Sequence, residues 1–494
     1  MTRETEVMTP AGTLRGTARD GIRTFLGVPY AAPPVGARRF APPQPAPAWE
    51  GVREATTPGA NAPQRVRAMP GLELHPLVGH GWIQGDDYLT LNVWAPEDAS
   101  GCPVMVFIHG GAFLLGSKDA SVSDGAAFAR DGIVCVAINY RMGIDGFLPI
   151  PGAPTNLGLR DQIAALAWVR DTIPAFGGEP ENVTVFGESA GAMSIGNLVT
   201  SPLAQGLFRR AIIQSGHGAM TRDVGVARKL VTKLASLLGV SPTRDGFAAV
   251  TPEAAFDAIE KISAPTARID LRDPAGREPV FGISRFVPVH GDDVLPLAPL
   301  EALKQSAGAQ IDVLIGSNAE EMNLYLVPTG ARAKVGRLLA WMALRKSQPR
   351  AWRVLKAYGM GARGVSAGLA LNRAMNDLVF RWPARRFAEE HRGRTHMYEF
   401  DWRSPRFDGE LGAAHGMELP FVFDTLATTA VREGLTGTTP PQDLADRVHA
   451  IWVRYATDGI LPWPEFTREQ RNVFQLAADR TIHEPLMPAA PFLP

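Results

Sequence analysis

The sequence predicts an α/β protein built on a large, mostly parallel central sheet flanked by helices. Two observations carry that expectation. Short apolar and β-branched runs (LTLNVW, PVMVFIH, IVCVAIN, VTVFGE, FRRAIIQS, IDVLIGS and THMYEF) recur between Leu89 and Phe400. Helical patterns lie between several of them, as where Leu159, Ile163, Leu166 and Trp168-Val169 repeat at helical spacing before Pro174.

In chain order, Pro10 to Leu26 carries the turn signals Ala11-Gly12 and Asp20-Gly21 between β-prone runs, which predicts a small N-terminal antiparallel sheet. Phe25 to Trp49 is dense in proline, which has no amide to donate and so excludes helix or central strand. Its aromatics, Phe25, Tyr30, Phe40 and Trp49, predict an ordered coat over the core. Two longer helical regions, about 224–262 and 331–390, are expected as insertions on one side of the sheet, walling the strand ends. No repeat divides the chain, so residues 1–494 read as a single domain with insertions.

Lys+Arg and Asp+Glu both total 50, giving formal net charge zero, which argues against a basic field for nucleic acid. By the same reading no polybasic segment is expected to attract an anionic membrane, and no apolar run is long enough to span one. MTRETEVMTPAG lacks the apolar core of a signal peptide, so a cytoplasmic protein is expected. Cys102 and Cys135, the latter inside the apolar run Ile133 to Ile138, are then expected to be free thiols.

The chemistry centres on Val183 to Thr200, VTVFGESAGAMSIGNLVT. A strand runs into Gly187-Glu188-Ser189-Ala190-Gly191 and a helix follows, which would place Ser189 on a strained turn with its hydroxyl exposed. Glycines are required there because the turn brings backbone against backbone. A serine hydroxyl needs a base to take its proton, usually histidine oriented by a carboxylate. Downstream, Glu320 and Glu321 both follow the strand IDVLIGS, and the residues alone leave the choice between them open. His415 sits in the glycine- and alanine-rich loop GELGAAHGMELPFVF, whereas His391 and His396 beside arginines read as solvated surface and His449 as an ordinary helix histidine. The oxyanion of a tetrahedral intermediate needs fixed N–H donors. Ala190, after the serine, is one candidate, and Gly110-Gly111-Ala112-Phe113 after PVMVFIH supplies a loop of the required type.

With FLGVPYAAPPVGARRF, DDYLTLNVWAP, VFIHGGAF, INYRMGIDGFL, FRRAIIQSG, FVPVHGDDVLP and LIGSNAEEMNLYL added, the chain resembles the type B carboxylesterase/lipase (cholinesterase-like) family, and bacterial para-nitrobenzyl-type esterases within it. The resemblance implies the α/β-hydrolase fold, Ser189 as nucleophile, Glu321 as acid and His415 as base. It implies oxyanion donors Gly111, Ala112 and Ala190, with Glu188 and Ser215 in supporting positions around them. Met322 stands where the family has glycine, and Ala62 and Tyr88 stand where secreted relatives pair cysteines. The segment between these two, with His75, His80 and Trp82, is expected to be less constrained. Ordinary packing is expected of Trp82, and Gly282 and Ser284 fall where cholinesterases place bulky acyl-pocket aromatics, which implies a roomier acyl side.

The expected activity is acyl-enzyme hydrolysis of small to medium uncharged esters, with the Gly-Gly-Ala loop extending to tertiary-alcohol esters. An unperturbed His415 would make activity rise through roughly pH 6–7. Amidase or carbamate hydrolase is the rival with the same triad. A non-catalytic interaction domain is the rival of another class, and it would ordinarily lack the serine. No cofactor or metal is expected, since no H-E-x-x-H spacing occurs. The partner expected is a small-molecule ester, with the protein a monomer or homodimer.

Overall fold

Parallel strands buried on both faces form the middle of the molecule. In the computed structural model, which describes residues 2–264, 266–278 and 283–493, they run Val134–Ile138, Cys102–Ile108, Gly178–Glu188, Arg210–Gln214, Asp312–Asn318, Thr395–Phe400 and Asn472–Gln475 across the sheet. Every residue of Val134–Ile138, Arg210–Gln214 and Thr395–Phe400 is buried. Such strands read as unbroken apolar runs because helices cover both faces, and each large aliphatic side chain removed from water contributes about 1.5–3 kcal/mol.

The antiparallel strands Arg3–Thr9, Gly12–Arg19 and Ile22–Pro29 do not stand apart as a separate sheet. They extend the main one, because Ile22–Pro29 pairs with Thr90–Pro96, which in turn pairs with Val134–Ile138. At the other end, the hairpin Asn472–Gln475 and Arg480–His483 closes a sheet that has 13 strands among the described residues. Its strands are four residues each, too short for a periodic signal. The proline-rich segment is ordered: Phe25, Tyr30 and Phe40 are buried, and Trp49 Nε1 donates to Thr13 O at 2.9 Å.

Helix Leu157–Thr172 ends before Pro174, where the sequence breaks the pattern. Between 224 and 262 lie helices Val224–Leu238, Arg244–Ala248 and Pro252–Ser263. The first is capped by Asp223, whose carboxylate accepts from Gly225 N at 2.8 Å, and ends at left-handed Gly239. Pro252–Ser263 begins with Thr251 as cap and proline in its first turn. Between 331 and 390 lie Ala331–Lys334, Arg337–Arg345, Ala351–Ala357, Ala367–Asn376 and Trp382–Glu390.

His391 and His396 are not on the surface. Both are buried: His391 is bonded to Thr395 and Gly308, and His396 packs edge-on to Trp463. His396 belongs to a strand enclosed on both faces, and that enclosure outweighs its basic sequence neighbours. His449 is a core histidine, its Nδ1 2.7 Å from Val422 O. Cys102 and Cys135 are free, Cys135 buried.

Candidate active site

Strand Gly178–Glu188 delivers Ser189 to the lip of the sheet, and helix Ala190–Leu198 starts immediately after it. Ser189 has φ 55° and ψ −121°, a conformation that costs a non-glycine residue about 1–3 kcal/mol. Its own backbone clamps the turn: N–H donates to Gln214 O at 3.0 Å, and its carbonyl accepts from Met193 N at 2.8 Å. A Cβ at Gly191 would stand 1.9 Å from Ile108 O, and one at Gly187 2.5 Å from the same oxygen. Only glycine lets the turn press against the neighbouring strand.

Asp312–Asn318 and the turn after it carry the two glutamates in opposite directions. Glu321 is fully buried, its Oε2 2.6 Å from His415 Nδ1 and its Oε1 accepting from Asn318 N at 2.7 Å. Glu320 turns outward to Ala413 N and Arg403. Met322, in place of glycine, sits at φ −70° in ordinary helical geometry, so nothing in that loop requires glycine. The His415 ring lies against Phe380, 4.8 Å between centroids, and Tyr325, 5.7 Å. Among the described residues its Nε2 makes no hydrogen bond. Glu188 Oε1 is 3.0 Å away but out of line for one.

The loop after Cys102–Ile108 takes positive φ at Gly111, Ala112 and Phe113 in succession. Gly143 N holds it by donating to Phe113 O at 2.7 Å. Among the described residues, the N–H groups of Gly111, Ala112 and Ala190 donate to nothing. The loop packs on the serine turn, since a Cβ at Gly110 would lie 3.0 Å from Ser189 Cβ. Ser284 does not border the cavity; its hydroxyl lies 2.8 Å from Ala112 O and braces the loop. Gly282 lies outside the described residues. Ser215 is fully buried beside the acid-bearing strand, its N–H bonded to Gly316 O and its hydroxyl unpartnered.

Glu188, Ser189, His415, Gly111 and Ala112 all border one cavity of about 610 Å³. Its walls are mainly apolar: Leu74 and Leu77, Leu114 and Leu115, and Phe256 and Ile259 of helix Pro252–Ser263. Arg65 and Arg67 meet Asp257 and Glu260 across its rim. Trp82 packs edge-on to Phe256 at 5.7 Å. The segment between Ala62 and Tyr88 is tied at its base without a disulfide, by Asn61, whose amide bonds Gly81 O at 2.6 Å and Ile83 N at 2.7 Å. Among the described residues no group of three or more His, Cys, Asp or Glu side chains is placed to hold a metal ion.

The carboxylesterase family model matches residues 3–489. The chain belongs to the carboxylesterase family. It is 34% identical to the para-nitrobenzyl esterase of Bacillus subtilis, over 96% of this chain and 95% of the relative. It is 35% identical to the phenmedipham hydrolase of Pseudarthrobacter oxydans, over 94% and 93%. Among solved structures, a PNB esterase superposes with TM-score 0.84 at 32% identity over 100% of both chains. The Geobacillus stearothermophilus carboxylesterase EST55 superposes with TM-score 0.83 at 34% identity, over 99% of this chain and 100% of that one. The chain is therefore a serine carboxylesterase with the α/β-hydrolase fold.

The carboxylesterase surrounds His415 with three buried carboxylates, Glu188, Glu321 and Glu418. Burial disfavours the imidazolium, but these charges outweigh it and push His415 up to about 9. Burial pushes Glu188 up to about 8 against the pull of His415. Sequence reasoning missed Glu418, three residues after His415, where only its position in the same loop could have flagged it. Its carboxylate accepts from Asn318 Nδ2 at 2.6 Å and Gln214 Nε2 at 3.2 Å, bridging the ends of two parallel strands. It also missed His109, which burial pushes down to about 4. His109 Nδ1 lies 2.9 Å from Gly110 O and its ring stacks on Tyr140, bracing the glycine loop from behind.

Proposed function

We propose that this carboxylesterase hydrolyses small to medium uncharged carboxylic esters through a Ser189–His415–Glu321 triad. His415 takes the proton of Ser189 as the hydroxyl attacks the carbonyl, then gives it to the leaving alcohol. It next activates water to release the acid from the acyl-enzyme. Glu321 orients the ring through Nδ1 and stabilises its protonated form. The N–H groups of Gly111, Ala112 and Ala190 receive the oxyanion, each worth roughly 3 kcal/mol to the transition state. Glu188 and Ser215 support this centre from the elbow and from the neighbouring strand. The 2.6 Å contact between His415 Nδ1 and Glu321 carries the reading, because it leaves Nε2 without a hydrogen bond on a ring that borders the same cavity as the strained Ser189.

Apolar walls favour uncharged acyl and alcohol groups, and the Gly-Gly-Ala loop supports tertiary-alcohol esters among them. The whole chain acts in this reading as one catalytic domain with two helical insertions. A panel of p-nitrophenyl esters of rising chain length, on wild type and Ser189→Ala, tests it. The variant is expected to lose at least about a thousandfold in kcat; a variant of near wild-type rate ends the assignment. Carbamate hydrolysis passes through the same kind of intermediate. The relative named phenmedipham hydrolase makes phenmedipham a suitable probe, alongside tert-butyl acetate for the tertiary-alcohol reading.

A further inference from the structure

A net charge of zero conceals a one-sided segment. Residues 322–376 hold ten Lys or Arg and no Asp or Glu. Among the described residues, Arg332 alone of the ten is in an ion pair, with Glu410. The other nine are exposed. Helices Arg337–Arg345 and Ala351–Ala357 lie in this segment, with Arg345, Lys346, Arg350, Arg353 and Lys356 along and between them.

The same two helices also present large apolar side chains to solvent. Leu338 is 66% exposed, Leu339 54%, Met342 38% and Trp352 43%. These are not an incomplete core. The insertion already has its own, in which Ala340 and Leu344 of the first helix and Val354 and Leu355 of the second are buried with Leu371 and Ala374. Helical spacing puts Ala340 and Leu344 on one stripe, with Leu338 and Met342, also four apart, on the opposite side. The first helix is therefore apolar on both faces, and the outer face is bordered by cations.

We propose that this face docks on an anionic phospholipid bilayer. Leucine, methionine and tryptophan fit the boundary between headgroups and acyl chains, while long basic side chains lie along that boundary with their charges at lipid phosphates. The nine Lys and Arg that make no ion pair among the described residues, of which Arg345 and Lys356 lie over the Trp341 and Trp352 rings, add attraction that decays within a Debye length. A nucleic acid would satisfy the cations but leave Leu338, Leu339 and Met342 without use. Docking here is peripheral, for among the described residues no helix is long and apolar enough to cross a membrane.

Co-sedimentation of the full chain with vesicles tests the proposal. Expected are binding to phosphatidylcholine–phosphatidylglycerol vesicles at low salt, little binding to phosphatidylcholine alone, and release as salt rises. The double variants Arg345→Glu/Lys346→Glu and Leu338→Ser/Leu339→Ser should each weaken that binding roughly tenfold, with hydrolysis of p-nitrophenyl acetate unchanged. Absence of binding to the anionic vesicles, or equal binding by both variants, overturns the proposal. So does preferential binding of an oligonucleotide that ignores the leucine substitutions. A dimer in sedimentation equilibrium that Leu338→Ser/Leu339→Ser dissociates, with vesicle binding unaltered, would assign the face to a second copy and also overturn it.

Discussion

At the scale of single residues, the charges of His415 and Glu188, 3.0 Å apart and not hydrogen-bonded, set each other's protonation. An unperturbed imidazole would lose its proton through roughly pH 6–7. Here Glu188, Glu321 and Glu418 stabilise the protonated ring and move that loss up towards 9. The base form of the proposed triad is the neutral one, so kcat/KM should climb with pH above 7. Glu188→Gln removes one of the stabilising charges and should shift the midpoint downward. A pH–rate profile on both proteins checks this; a midpoint unmoved by Glu188→Gln would remove Glu188 from the account. The glutamate pair makes a related point. Composition and spacing are alike at 320 and 321, and only the turn after Asn318 sends one carboxylate to His415 and the other to Arg403.

At the scale of elements, helix Pro252–Ser263 forms one wall of the cavity, and in the proposed reading it limits the room for substrate. Thr251 and Pro252 start it, and its spacing of Ala255, Phe256 and Ile259 turns one stripe into the cavity. Ile259→Phe adds volume on that stripe. The expected outcome is a fall in kcat/KM that steepens from p-nitrophenyl acetate to long-chain esters, with thermal stability nearly unchanged. A uniform fall across the series would show that the helix does not gate substrate length. The loop Gly110–Phe113 is an element of another kind. Its sequence announces close approach of backbone, but its shape depends on Gly143, Ser284 and His109, which arrive from distant parts of the chain.

At the scale of the whole molecule, the short C-terminal hairpin is anchored by charge. Glu484, next to the strand Arg480–His483, meets Arg381, Arg385 and Arg471 at 2.8, 2.6 and 3.4 Å, all in a largely buried setting. Burial opposes its ionisation, but Arg385 and Arg381 prevail and hold it down at about 2. A depressed carboxylate stabilises the fold above its unfolded value of about 4.3 and loses that contribution as pH falls towards 2. Glu484→Gln leaves the buried Arg385 without a carboxylate among the described residues, while Arg381 keeps Asp377 and Glu399 and Arg471 keeps Glu389, and should cost about 3 kcal/mol at pH 7. Urea unfolding at pH 7 and pH 3 measures it, and the gap between variant and wild type should narrow in acid.

Much of this architecture was legible in the sequence because its central strands are buried on both faces and so write their own apolar runs. The strand–Ser189–helix junction was legible too, since steric crowding at Gly187 and Gly191 admits one residue type. Averaging hid the rest. A total charge of zero says nothing of where the cations lie, and it masks the acid-free stretch 322–376. What the sequence determined by itself was the order of strands and helices and the residue types at the turns, which are local consequences of burial and backbone freedom. The choice of Glu321 over Glu320 came from the family resemblance, and the tertiary structure gave its physical reason; only the tertiary structure decided that Glu418 and Glu188 crowd the same ring and that His396 is enclosed. Those outcomes depend on distances between groups far apart in the chain, and electrostatic energy in a dry interior depends on such distances.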